Sequence, residues 1–347
     1  MVKLHTAACG CGGERSRTIT NHKLDIFSSQ SYTEFMLKQY TIPPSLSLGD
    51  TIAIVATARK VNQQEIQDCF DYYTAKGFNV LLGNNIYSEH FQFAGDDIQR
   101  ASDLQTMLDN PKVKAILCAR GGYGTVRIID QLNFDNYIQN PKWLIGFSDI
   151  TALHSHLHNL GFASLHGSMA VNYIQDRESN FHISPQSLDD TYHIITGQKI
   201  SYTFTKNIYN KTGEAEGIVV GGNLSVLYSL SGSPTDINTD GKILFIEDLD
   251  EYLYHLDRMV QWIDRSGKLK NLKALIIGDM GQMKNLDPSK PFGQTAEEII
   301  YHTAKKYKYP ICFGFPAGHG EVNSPIVLGA EVRLKIDEKF SAITSLF

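Results

Sequence analysis

Between residues 47 and 160 the chain alternates four times between an apolar run of strand length and a segment whose apolar residues recur every three to four positions. Thr51–Ala56 reads as a buried strand, and residues 63–76 as a helix with Ile66, Phe70 and Tyr73 on one face. Asn79–Leu82 is a second strand, followed by a helix over residues 96–109 that opens on an acidic cap and stops before Asn110-Pro111. Lys112–Ala119 is a third strand, leading through Arg120-Gly-Gly-Tyr-Gly124 into a helix predicted to run to Leu132. Such alternation makes a parallel sheet covered by helices, with ligands beyond the carboxyl ends of the strands. The fold class is therefore α/β.

The fourth repeat is the most compressed. Trp143-Leu144-Ile145 is a strand, Ile150, Leu153, Leu157 and Leu160 mark a helix, and only Gly146-Phe147-Ser148-Asp149 lies between them. A serine in so sharp a turn has its hydroxyl held away from the sheet, and the N–H groups that start the helix have no acceptor within it. That is the geometry of a nucleophile elbow. Helix capping by Ser148 or Asp149 explains the same residues, and from this stretch alone is the better account.

The second half mixes short strands with helices and reads as a smaller, β-rich α/β domain. Its strands are Glu216–Asn223, ending in a tight glycine turn, Lys242–Ile246, Ala274–Ile277 and Ile311–Phe315. Helices fall over residues 251–263 and 295–307, and the tail Ile326–Ile336 alternates like one half-exposed strand. Domain boundaries follow at 36–175 and 216–347, with 176–215 crossing between them. Residues 1–35 are polar and aperiodic, and are expected to be a disordered extension or the product of an upstream start codon, with Met36 as the true start.

A net charge of −5 without a basic run gives no footprint for nucleic acid, and no apolar segment is long enough to span a bilayer. Five cysteines, an odd number, with Cys69, Cys118 and Cys312 in apolar or helical segments, fit reduced thiols in the cytoplasm. Cys9-Gly10-Cys11 lacks a second pair of zinc-site spacing. His154, His156 and His158 follow the elbow without the intervening glutamate of a zinc-protease helix, and read as a polar surface stripe. The loop Arg120–Gly124 fails the dinucleotide fingerprint, because Arg127 stands where the third glycine belongs. It is either a plain turn or a close backbone approach to a substrate.

Glu247 is the first polar residue after Ile243–Ile246, with Asp248, Asp250 and Glu251 close behind to start the next helix. His319 sits between Gly318 and Gly320 in what reads as an exposed turn. Ser148, Glu247 and His319 thus supply a hydroxyl, a carboxylate and an imidazole, all at strand ends. A serine hydroxyl needs an adjacent base, and the carboxylate fixes that base's tautomer.

Arg120-Gly-Gly-Tyr-Gly124, Gly146-Phe-Ser-Asp-Ile-Thr151, Leu165-His-Gly167, Gly221-Gly-Asn-Leu224, Phe245-Ile-Glu-Asp248 with Tyr254 and Asp257-Arg258, and Gly318-His319 resemble the LD-carboxypeptidase family, the S66 serine peptidases. The resemblance runs in order from about residue 47 to the end. It implies a Rossmann-like N-terminal domain carrying the serine and a C-terminal domain carrying the other two groups, commonly in a homodimer. It implies a triad of Ser148, Glu247 and His319, with backbone N–H groups of Gly122 and Asp149 as the oxyanion hole. The implied reaction is release of terminal D-alanine from a murein tetrapeptide in the cytoplasm, with no cofactor or metal and no nucleic acid or membrane partner. The same family includes microcin C immunity peptidases, which cleave peptidyl- or aminoacyl-nucleotides; a non-catalytic peptide-binding module is the reading from outside enzymology. Ile150 replaces the second glycine of the Gly-x-Ser-x-Gly elbow, which speaks against an α/β-hydrolase fold, and His166 and Ser168 receive no catalytic role. A terminal carboxylate calls for a cation, and Arg59, Arg120, Arg127 and Lys142 are all open for it.

Overall fold

The computed structural model describes residues 40–176 and 178–347; the extension expected over residues 1–35, with Cys9 and Cys11, lies outside the described residues. The chain first builds β1 (Thr51–Val55), β2 (Asn79–Leu82), β3 (Val113–Cys118), β4 (Trp143–Gly146) and β5 (Ser164–His166). It then lays down β6 (Ser201–Thr205), β7 (Gly213–Asn223), β8 (Ile243–Leu249), β9 (Ala274–Gly281) and β10 (Ile311–Phe313). Three strands finish it: β11 (Ile326–Leu328), β12 (Glu331–Ile336) and β13 (Phe340–Ser345).

One sheet has the order β11-β5-β4-β3-β1-β2, parallel except where β11 runs against β5. Successive residues of its strands feed opposite cores: Ile52, Ile54, Trp143 and Ile145 on one face, Ala53, Val55 and Leu144 on the other. Burial on both faces is why these strands read as unbroken apolar runs rather than alternating ones. The flanking helices start as their sequences dictate. Asn62 forms a capping box with Glu65, and Asp96 forms one with Gln99.

The second sheet has the order β10-β9-β8-β7-β12-β13-β6. Strands β7 to β10 are parallel, and the other three are antiparallel additions. Its faces also carry two apolar clusters, one around Leu244, Leu256 and Val260, the other around Phe245, Ile276 and Phe315.

Four local expectations change. The helix predicted to reach Leu132 is two short 3₁₀ turns, Thr125–Arg127 and Ile129–Gln131. Side chains pin its start, since Asp149 accepts the Thr125 N–H and Thr57 bonds the Thr125 hydroxyl, and so short a segment gains little from helix propagation. The stretch read as a crossing between the domains holds the helix Pro185–Ile195, which puts Leu188, Ile194 and Ile195 into the core of the first sheet. The single tail strand is two strands broken at Gly329, β11 in the first sheet and β12 in the second. The glycines expected to form a turn after residue 220 lie inside β7.

That last difference has a steric cause. Gly221 has φ +136°, and a Cβ there would sit 1.7 Å from the Phe245 carbonyl oxygen on β8. Gly221→Ala is expected to cost more than about 4 kcal/mol and abolish cooperative urea unfolding, because neither backbone can give way. Among the described residues no helix is long and apolar enough to cross a membrane.

Candidate active site

Strand β4 ends at Gly146, a single 3₁₀ turn spans Ser148–Ile150, and the helix Thr151–Leu160 follows at once. Ser148 has φ +61°. A left-handed conformation costs a non-glycine residue about 1–2 kcal/mol, and it persists only where the surroundings fix it. Here they do: residues 142–147 and 149–150 are buried, and Ser148 alone is partly accessible. The capping account fails, because no side chain caps either the turn or the helix. Asp149 instead accepts the Thr125 N–H at 2.8 Å and so ties the elbow to the glycine loop. Burial raises its carboxyl pKa despite that bond.

His154 is not on a surface stripe. Its Nε2 lies 2.9 Å from the carbonyl of Gly146 and its Nδ1 2.8 Å from the Ser164 hydroxyl, so the ring donates to the first and accepts from the second. Burial pushes its pKa down to about 4, leaving a neutral ring that clamps the end of β4. His158 is likewise buried, stacked on Tyr40. The spacing of three histidines could not show which groups pack against that face: Gly146 and Ser164 beside His154, and the remote Tyr40 and Asn238 beside His158.

Glu247 lies inside β8, where the pairing with β9 shifts register, and is fully buried; its Oε2 accepts from His319 Nδ1 at 2.7 Å. A carboxylate can only accept, so Nδ1 carries the proton and Nε2 keeps its lone pair, the form a general base requires. The His319 side chain is 15% accessible, less than an exposed turn would leave it. Burial opposes charge on the ring, but Glu247, Asp248 and Asp279 outweigh it and the pKa is raised. Gly318, with φ +135°, lets the turn press down: a Cβ there would lie 3.0 Å from both Glu247 Oε2 and the Asp279 Cβ. Glu251, the other carboxylate of that stretch, bonds His255 instead.

The His319 ring packs 4.9 Å, centroid to centroid, from Phe147, the residue before the serine. Two of the three predicted groups are thus joined directly and set beside the third; among the described residues no hydrogen bond links the Ser148 hydroxyl to His319. Gly121 and Gly122 run alongside the elbow, and a Cβ on Gly121 would lie 3.2 Å from that of Ser148. The Asp149 N–H opens the turn, where no acceptor within the helix is available.

The two sheets meet at this point through a chain of polar contacts. The Asn223 N–H donates to Thr151 Oγ1 at 3.0 Å, and its side-chain amide donates to Asp248 Oδ1 at 3.0 Å. Asp248 also accepts the Ser225 N–H at the start of the helix Leu224–Ser229, so it serves that helix rather than the one after it. Burial and the neighbouring Glu247 push its pKa up to about 7. Asp250, expected near the next helix start, pairs with Lys284. Two supports were not foreseen. Asn323 accepts the Gly318 N–H at 2.9 Å and so holds the turn that carries His319. Asp279 faces that turn, and a cavity of about 270 Å³ opens beside it, lined by Gly278, Asp279, Pro316 and Gly320 among others. Neither residue belongs to a motif that could have flagged it.

Residues 52–167 match the LD-carboxypeptidase N-terminal domain, and residues 216–334 the LD-carboxypeptidase C-terminal domain. The chain is 32% identical over 314 residues to the "Probable murein peptide carboxypeptidase" of Bacillus subtilis, covering 87% of this chain and 93% of that protein. It is 27% identical over 280 residues to the murein tetrapeptide carboxypeptidase of Pseudomonas aeruginosa, covering 78% and 89%. The crystal structure of muramoyltetrapeptide carboxypeptidase from Oxalobacter formigenes superposes with a TM-score of 0.76 at 27% identity, over 86% of this chain and 99% of the other. The microcin C7 self-immunity protein MccF, in complex with aspartyl sulfamoyl adenosine, shares the fold with a TM-score of 0.77 at 20% identity, over 88% and 98%.

Proposed function

The chain belongs to the LD-carboxypeptidase family and is a serine-type carboxypeptidase, and from that premise we propose that it releases the terminal D-alanine of murein tetrapeptides. Ser148 attacks the amide carbonyl, and His319 takes its proton and delivers it to the leaving amine. Glu247 holds the imidazole in its Nδ1–H tautomer and stabilises the imidazolium. The N–H groups of Gly122 and Asp149 receive the oxyanion, a contact that contributes roughly 3 kcal/mol per donor. Water then cleaves the acyl-enzyme with His319 as base. The observation that carries this reading is the 2.7 Å bond from a buried carboxylate to an imidazole beside a serine held at φ +61°.

The proposed setting is the cytoplasm, the proposed role recycling of murein peptides, and the proposed assembly a homodimer. Mass spectrometry of purified muropeptides incubated with the enzyme tests the reading. Tetrapeptides should lose one alanine to become tripeptides, and pentapeptide and tripeptide masses should stay unchanged; an unaltered tetrapeptide pool would sink it. The likeness to MccF supports a second reading, cleavage of aminoacyl-nucleotides. Parallel assays on a tetrapeptide and on an aminoacyl sulfamoyl adenosine separate the two.

A further inference from the structure

A carboxypeptidase must recognise a free carboxylate, which lies less than about 4 Å beyond the scissile carbonyl carbon. Four cations were open for that task in the sequence, and the structure separates them. Lys142 is 1% exposed, and its ammonium donates to the carbonyls of Met107, Leu108 and Asn110 at 2.8–3.0 Å, closing the end of the helix Asp97–Asp109. Arg127 grips Asp97 through Nε and Nη2, at 2.7 Å for the shorter contact. Arg120 faces Glu65 at 3.6 Å, and its guanidinium lies over the Phe181 ring.

Arg59 is different. It is exposed, and among the described residues its side chain has no hydrogen-bond acceptor and no ion-pair partner. It sits on the loop after β1, and its backbone N–H donates to the Gly121 carbonyl at 3.4 Å. Its side chain crosses Gly122, where an added Cβ would meet Arg59 Cδ at 2.6 Å and Nε at 2.7 Å. Gly121, in turn, abuts Ser148. The arginine stem and the elbow are thus separated by one glycine pair.

The sheet order points to the same spot. From β1 the chain goes outward to β2 and then back across to β3, so the order reverses between β1 and β3. In open α/β sheets ligands collect in the crevice at such a reversal. The charge balance agrees. Arg120 is disfavoured as a cation by burial, favoured by Glu65, and disfavoured again by Arg59 close by. Glu65 is engaged by Arg120, and the nearby Arg59 guanidinium has no carboxylate of its own among the described residues.

We propose that Arg59 binds the terminal carboxylate of the substrate and so makes the enzyme a carboxypeptidase rather than an endopeptidase. The inference rests on the serine mechanism above and names the group that selects its substrate. A guanidinium fork gives a carboxylate two parallel hydrogen bonds, which a lysine in the same place cannot reproduce.

The test compares the wild type, Arg59→Ala, Arg59→Lys and Arg120→Ala on a tetrapeptide and on the same peptide ending in a carboxamide. Wild type should prefer the free acid. Arg59→Ala should lose roughly 10–100-fold in kcat/KM on the acid, chiefly through KM, and Arg59→Lys should recover part of it. On the carboxamide, Arg59→Ala should lose less than about 3-fold, so that the preference collapses. An equal loss on both peptides, no loss on either, or a selective loss in Arg120→Ala instead would overturn the assignment. Should wild type release neither alanine from the acid nor alaninamide from the carboxamide, the underlying mechanism falls with it, so the two failures are distinguishable.

Discussion

Ser148→Ala should lower kcat by about 10⁵–10⁶-fold while leaving the protein folded, because removing the nucleophile of a serine triad costs about as much as removing the whole triad. The structure explains why stability is spared. Among the described residues the Ser148 hydroxyl makes no hydrogen bond, so its removal strands no partner, and the change in unfolding free energy should stay within about 0.5 kcal/mol. Ser148→Gly sharpens the test. Ser148 holds φ +61°, a region that costs an L-residue about 1–2 kcal/mol and a glycine almost nothing. The glycine variant should therefore be equally inactive yet about 1 kcal/mol more stable than the alanine variant, reversing the usual ranking of the two residues. Urea unfolding and D-alanine release measure both quantities on the same samples. Alanine release retained by Ser148→Ala would refute the assignment, and a glycine variant less stable than the alanine one would mean that the turn stores no strain.

What the sequence made legible follows from how local each signal is. The elbow was readable because a strand-length run, a four-residue turn and a helical spacing lie within 20 residues. The parallel sheet was readable because burial on both faces leaves continuous apolar runs. Signals that depend on remote partners were not. His158 looks like a surface histidine until Tyr40 and the Asn238 carbonyl, 118 and 80 positions away, are brought against it. Ile326–Ile336 keeps one alternation across Gly329, so periodicity could not reveal that its two halves join different sheets. Gly221-Gly222 reads as a turn because nothing in the sequence shows the Phe245 carbonyl that excludes a side chain there. The Glu247–His319 bond spans 72 positions, and composition could offer its two groups without bringing them together. Asn323, which holds the histidine turn, carries no local signature at all.

Glu247→Gln should lower kcat by about 10³–10⁴-fold and move the acid limb of the pH–rate profile to lower pH. The isosteric amide offers its NH₂ as readily as its oxygen to Nδ1, so it no longer enforces the tautomer whose Nε2 is free to act as base. The sign of the pH effect follows from the charges around His319. Burial alone would lower its pKa from the ordinary 6.5, and Glu247 is the largest influence that raises it, followed by Asp248 and Asp279. His166, behind it, is fully buried with its own pKa pushed down, and so adds no positive charge. A protonated imidazole cannot accept the serine proton, so wild-type kcat/KM should rise with pH through a midpoint above the usual histidine value. Removing the Glu247 charge lowers that midpoint even as the plateau falls. Asp279→Asn should move it the same way by less, with little change in plateau, because Asp279 contributes charge without touching the ring's tautomer. Stability follows the same pKa. A raised folded-state value stabilises the protein fully below the unfolded-state pKa and is lost as pH rises through the folded value, so Glu247→Gln should also flatten that part of the stability profile. A wild-type plateau in the variant, or an acid limb that stays in place, would remove Glu247 from the mechanism and leave its bond to His319 a purely structural one.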